Sequence, residues 1–420
     1  MNRSALTKLA LALAIATRPA TPVRAETLAD AIRWTIAGNP TLAAARARQN
    51  ALGETPEQAR AAGRLTAAAD AVAGYDRFDY GKGGAGAVSA SLPIWTGGRV
   101  STAVRAASHD VDAGEQELRD VTATIIEQVI SAYAGLLFQQ QAVAIAIADI
   151  DLLNSQVAEA KARFDLGTGT QTDVARLAAQ REGASATLAS AQAALASAAA
   201  SYRAVVGRSP GVLAAAPNDL ATLPTTIDDA RRRSIATNPA YLASLAARGA
   251  ADARIGVARS NGAPYLSLGS SYGYGFASSR DPQAYLRSAA GGVSLHVPIL
   301  TGGLIASQIR QAQANARAAA SDTDAAAREA VRATDTAWAN VAGARQRVVA
   351  GERAVTAAER ALAGVKAEYA VALRSTLDIL IADESLRGAQ LALAAARADL
   401  LTGEAALLHS IGSLNSAAIS

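Results

Sequence analysis

The chain has 420 residues, of which 50% are hydrophobic but only 4% aromatic, and it contains no cysteine. Without cysteine it can form no disulfide, thiolate metal site, cysteine nucleophile or lipidated N-terminal cysteine. The formal charge of +4 gives no argument for nucleic acid: leaving out Arg3, Lys8, Arg18 and Arg24 brings the 40 basic residues to 36, equal to the 36 acidic ones, and no clustered basic face remains.

Residues 1–25 read as a secretory signal peptide. Arg3 and Lys8 give a basic start, Leu9–Ala16 is an apolar run too short to span a bilayer, and Val23-Arg24-Ala25 fits the small-residue cleavage rule. A first structural repeat is expected over residues 26–220. It opens with short helices around the stretch Thr27 to Asn39-Pro40. Strands are expected at about 64–78 and 86–95. Between them Gly81-Lys82-Gly83-Gly84-Ala85-Gly86 reads as a flexible hairpin loop. In the second strand Val88, Ala90, Leu92 and Ile94 alternate with Ala87, Ser89, Ser91 and Pro93. The chain then turns through Thr96-Gly97-Gly98 into a proline-free helix over about 98–165, which would be about 100 Å long at 1.5 Å per residue. A short turn, Leu166–Thr172, leads to a returning helix over about 172–207. There Val174, Leu177, Arg181, Ala184, Leu188, Ala191, Leu195, Ala198, Tyr202 and Val205 alternate spacings of three and four, which demands coiled-coil packing. Arg181 interrupts this stripe and should reach solvent or a partner charge.

The Pro-rich stretch 209–224 joins a second repeat, expected over 221–415. Thr226 to Asn238-Pro239 returns the opening, and strands are expected at about 264–276 and 288–299. Leu266, Leu268, Tyr272, Tyr274 and Phe276 alternate with Ser267, Gly269, Ser271, Gly273 and Gly275, a period of two with one apolar face. Val293, Leu295 and Val297 alternate likewise with Gly292, Ser294 and His296. Pro298, Thr301, Gly302 and Gly303 repeat Pro93, Thr96, Gly97 and Gly98 at an offset of 205 residues. Long helices are expected over about 303–370 and 377–411, the second with the stripe Ile379, Ala382, Leu386, Ala389, Leu393. Landmarks at nearly constant offset indicate a duplicated unit, and its long antiparallel hairpins cannot fit a compact domain. No later segment offers about 18 uninterrupted apolar residues, so no transmembrane helix is expected. Strands of about ten residues with one apolar face fit a membrane β-barrel, or else a soluble hairpin packed on the rods. Four strands cannot close a barrel, and open edges are not tolerated in lipid, so several chains would have to share one.

Catalytic signatures fail on context. The Gly81–Gly86 match to G-x-G-x-x-G precedes a strand, not a helix, and Gly269–Gly273 matches G-x-S-x-G inside a strand, without the elbow that motif needs. His109, His296 and His409 have no ligand spacing and read as surface or packing histidines. No catalytic, cofactor or metal residue is assigned, and the protein is not expected to be an enzyme.

Together these residues resemble the TolC-like outer membrane efflux proteins over roughly residues 26–415. The specific elements are the duplicated P-[IL]-x-T-G-G turn and the tips Arg163–Val174 (RFDLGTGTQTDV) and Glu368–Leu380 (EYAVALRSTLDIL). The resemblance implies a mainly α fold with a small β part. Three chains would share one twelve-stranded outer-membrane barrel surrounded by lipid, and their hairpins would form a periplasmic α-barrel. The tips would dock on a periplasmic adaptor and an inner-membrane transporter, with the channel itself passive. It also implies that the mouth is held shut by links among Thr172 and Asp173 on the first tip and Tyr369 and Arg374 on the second. Asp173 and Asp378 suit helix N-terminal ends as well. Where some members carry a lumen-facing aspartate, this chain has Ile381, which points to an apolar constriction, and Gly167 becomes Ala372 in the second tip. The missing acylation cysteine and the G-T-x-T-D-V tip lean toward type I protein secretion. A drug or metal efflux duct of a proton-driven pump is the alternative. A soluble periplasmic coiled-coil adaptor or scaffold is the alternative of another class, but it would have one hairpin flanked by compact β-domains.

Overall fold

The structure, a computed structural model, describes residues 25–76, 81–217, 220, 223–277, 285–371 and 373–415. Residues 1–24 of the expected signal peptide, Phe78 at the end of the first expected strand, and Ala372 lie outside them. The described residues form nine helices and four strands.

Short helices open each half, and the same chemistry starts them. Thr27 caps α1 (Leu28–Gly38) in a reciprocal box with Asp30, and Asn39 caps α2 (Pro40–Gly53), which has proline in its first turn. A seven-residue α3 (Thr55–Ala61) follows. In the second half Thr226 caps α6 (Ile227–Thr237) and Asn238 caps α7 (Pro239–Ser260). In each capped case a side-chain oxygen takes up a backbone N–H that the first turn leaves unpaired.

One antiparallel sheet joins the halves in the order β1 (Thr66–Asp76), β2 (Gly81–Trp95), β3 (Tyr265–Ala277), β4 (Tyr285–His296). Three strand expectations are corrected. Gly81–Gly86 is not a loop but the start of β2: Gly81 pairs with Asp76, and Gly86 sits between Ala71 and Tyr274. Ladder hydrogen bonds to neighbours hold this segment extended although glycine brings no side chain to the sheet. β4 stops at His296, three residues short, because Pro298 has no N–H to offer a ladder. A bulge between Pro93 and Trp95 puts Trp95, not Ile94, opposite Leu266. One extra residue there shifts the alternation by one.

Below the sheet the Thr-Gly-Gly turns redirect the chain. Gly97 and Gly98 have φ of 59° and 82°, and Gly302 and Gly303 have 57° and 82°. Two successive left-handed residues favour glycine. At Gly97 a Cβ would also lie 2.5 Å from the Ala263 Cβ. The Gly98 carbonyl then accepts the Thr102 N–H and starts the helix.

The long helices α4 (Arg99–Asp165) and α8 (Leu304–Ala370) have 67 residues each, so each is about 100 Å long. Each returns as a shorter helix, α5 (Gln171–Val206) and α9 (Thr376–Ser410). Every residue of the Val174–Val205 stripe is buried or partly buried, and Arg181 turns its guanidinium to the neighbouring Glu182. The main core lies partway along the rods, where Ile126, Ile130 and Tyr133 of α4 meet Tyr202 of α5 and Leu407 and Leu408 of α9. The Tyr133 hydroxyl donates to the carbonyls of Glu26 and Ala214, which ties the chain start and the inter-half strap to this core. A smaller cluster nearer the tips joins Leu153 and Val157 to Leu177 and Leu380. α4 holds an 18-residue window of mean hydropathy 1.5, yet Glu127, Gln128 and Ser131 and then Gln139–Gln141 break up its apolar residues. Its Ile126, Val129 and Ile130 are spent in the core, where interrupted apolar positions suffice.

Candidate functional site

Two regions stand out, the hairpin tips and the two-faced sheet at the other end of the rods. At the first tip Gly167 (φ 73°) ends α4, and the Thr168 and Gly169 N–H groups close on the Arg163 carbonyl at 2.9 and 3.0 Å. Thr170 then caps α5 and donates its hydroxyl to Asp173 at 2.6 Å. At the second tip Ser375 caps α9 in a reciprocal box with Asp378. The Ser375 backbone N–H and hydroxyl hold the Asp378 carboxyl below the usual carboxylate range.

The sequence-derived tip residues fall into two groups. Tyr369 reaches across to the other hairpin, where its hydroxyl donates to Glu159 at 3.1 Å and the Arg163 guanidinium lies 4.8 Å above its ring. Arg163 also bonds Glu159 at 2.8 Å, so three side chains bridge α4 and α8. Arg374 instead pairs with Glu368 of its own tip at 2.7 Å. Among the described residues no hydrogen bond joins Thr172 or Asp173 to Tyr369 or Arg374; Asp173 is engaged by its cap. Ile381 is 57% exposed, and Leu166, Val371 and Leu373 beside the turns are exposed too.

Two more inter-hairpin links escaped the sequence reading. Asp149 of α4 and Asp383 of α9 both pair with the largely buried Arg387. Burial draws that guanidinium down to about 10, which leaves it a cation at neutral pH. Further along the rods His409 of α9 lies between Glu127 at 2.7 Å and Asp120 at 3.1 Å, both on α4. Burial works against the charge on this imidazole, but the two carboxylates outweigh it and lift it to about 9. At the tip, the Glu159–Arg163 spacing of four signals their pairing within α4 but not their meeting with Tyr369. Nothing local announces the partners of His409 or Arg387.

The sheet is two-faced in register. Leu266, Leu268, Tyr272 and Tyr274 share one face with their cross-strand partners Leu92, Val88, Val293 and Leu295, and most of these are exposed: Tyr272 by 57% and Leu295 by 63%. The opposite face carries mostly serine, alanine and glycine, with Asp70 and Val72 on β1 and the stacked rings of Tyr265 and His296 at the end nearer the helices. An exposed apolar sheet face above two 100 Å hairpins is the geometry of a lipid-facing barrel wall on a rod.

The sequence model of the outer membrane efflux protein family matches residues 31–208 and 230–413. The chain belongs to the outer membrane efflux protein family. It is 30% identical to the outer membrane efflux protein BepC of Brucella suis biovar 1 over 339 residues, which is 80% of this chain and 73% of BepC. It is 26% identical to the outer membrane protein TolC of Vibrio cholerae serotype O1 over 302 residues, 69% of this chain and 68% of TolC. The fold matches the crystal structure of the CmeC outer membrane channel of Campylobacter jejuni with a TM-score of 0.78 at 15% identity, covering 92% of this chain and 85% of CmeC. The protein is therefore an outer membrane efflux channel component, and the family is one of channels, not of enzymes.

Proposed function

We propose that three copies of this chain close one twelve-stranded barrel and form the exit duct of a tripartite export system. The carrying observation is the sheet. Its outer strands β1 and β4 each pair on one side only, and an unpaired backbone group in lipid costs several kcal/mol. Four strands cannot remove those edges within one chain, whereas β4 of one copy can pair with β1 of the next. The hairpins then surround a periplasmic tunnel whose mouth is formed by the tips. Exposed Leu166, Val371 and Leu373 offer apolar contact there to a periplasmic adaptor, which connects the duct to an inner-membrane transporter. The duct itself is passive.

Detergent-extracted protein should run as a trimer, and a stable, fully folded monomer in outer membranes would refute the shared barrel. For cargo, the Gly169–Val174 tip supports a protein-secretion duct, while membership of the outer membrane efflux protein family and the likeness to the efflux protein BepC favour efflux. Loss of the gene should remove specific proteins from the culture medium on the first reading. On the second it should lower resistance to drugs or metals with an unchanged secretome.

A further inference from the structure

Charge on the sheet is sorted by face. The small-residue face carries Thr66, Ser91 and Gly269 in one cross-strand row, and Ala68, Ser89 and Ser271 in the next. In the third row Asp70 pairs with Ala87, which pairs with Gly273, which pairs with Ser288. Across these three rows Asp70 is the one charged residue, and it is exposed. By backbone register Arg287, opposite Tyr274, lies on the apolar face.

We propose that Asp70 makes the barrel lumen selective for cations. This inference rests on the trimeric duct proposed above. If the apolar face meets lipid, the face of serine, alanine and glycine lines the lumen, and by register Asp70 lies on that face. Threefold symmetry converts one aspartate into a ring of three at one height. Twelve strands about 4.8 Å apart and tilted about 45° enclose a backbone radius of roughly 13 Å. Across these rows side chains of no more than four heavy atoms leave most of that radius open to water. The screening length is about 8 Å at physiological salt and about 30 Å at 0.01 M. Three carboxylates on such a wall therefore bias the whole cross-section at low salt and only the periphery at high salt. A cation does sit on the same face: Arg99 lies over the Tyr265 ring, 5.1 Å from its centroid. Tyr265 is eight residues down β3 from the Asp70 row, about 26 Å at 3.3 Å per residue, so at physiological salt its field does not cancel that of Asp70. The recognised class is small hydrated cations, and cationic over anionic cargo.

The test is the reversal potential of purified trimers in planar bilayers across a KCl gradient, in the full-length channel and in a Tyr369→Phe background that loosens the tip in series with the barrel. The unaltered channel should favour K+ over Cl−. Asp70→Asn and the smaller Asp70→Ser should lower that preference at least twofold around 0.1 M and much less around 1 M, Asp70→Glu should keep it, and Asp70→Lys should reverse its direction. Well-assembled trimeric channels whose reversal potential at low salt is the same before and after Asp70→Asn would overturn the proposal. Failure of the unaltered protein to form trimeric channels at all would instead overturn the duct reading beneath it.

Discussion

Tyr369 hands its hydroxyl hydrogen to Glu159 across 3.1 Å, from one hairpin to the other. The bond is exposed enough for water to compete, so its net worth is about 1 kcal/mol. A bond of that size can hold a mouth closed and still release on contact with a partner. Tyr369→Phe and Glu159→Ala should each raise open probability several-fold in single-channel recordings without changing trimer yield. Because both remove the same contact, the double variant should add little to either single one. Full additivity would mean that the two residues act independently. Arg374→Ala should have the smaller effect, since its partner Glu368 lies on the same tip.

Much of this fold was legible because its punctuation is chemical. Gly97 and Gly98 need left-handed backbone, and the Val174–Val205 stripe needs a facing helix. β3 was legible because tall and short residues alternate along it. β1, expected at about 64–78 and found at Thr66–Asp76, was legible as a strand but not in its faces, because Ala67, Ala68, Ala69 and Ala71 put the same side chain on both. The tip partners were harder still. Glu159 and Tyr369 are 210 residues apart, and His409 and Asp120 are 289 apart. Contacts at that separation follow from how the hairpins wind together, and no local spacing encodes it.

The two faces of β3 should respond differently to one substitution. Leu268→Arg and Tyr274→Arg place a guanidinium toward lipid, at a cost of about 2–4 kcal/mol near mid-bilayer and less near the interface. Both should reduce outer-membrane trimer. Ser271→Arg falls on the small-residue face and should assemble normally. Quantifying trimer in outer-membrane fractions checks this, and equal tolerance of all three would mean the faces are reversed or shared.

His409 should make stability depend on pH. Its folded value of about 9 exceeds the unfolded value of about 6.5. The charged form is thus favoured by folding, and its contribution is complete below about pH 6.5 and lost as pH rises through about 9. The contribution is on the order of 3 kcal/mol. The thermal unfolding temperature of the detergent-solubilised protein should therefore fall between pH 6 and 10. His409→Gln should be less stable at pH 6 and show a flatter profile. Parallel profiles for the two proteins would remove His409 as the cause.

The Asp149–Arg387–Asp383 cluster should separate opening from unfolding. Asp383 and Arg387 are one turn apart on α9, so their pairing holds within a single helix, whereas Asp149 brings in α4. Asp149→Asn removes the charge that crosses between hairpins and leaves a neutral buried pair behind. It should loosen the mouth, raising open probability, with little loss of stability. Arg387→Ala is a different perturbation, because it abandons two largely buried carboxylates to each other. Breaking a buried pair in this way costs about 3–5 kcal/mol, enough to lower the chaotrope midpoint followed by the fluorescence of Trp34, Trp95 and Trp338. Adding Asp149→Asn and Asp383→Asn to Arg387→Met should recover much of that loss, since no buried charge then remains uncompensated. If Arg387→Ala unfolds at the same chaotrope concentration as the unaltered protein, the cluster is solvated and holds neither hairpin to the other.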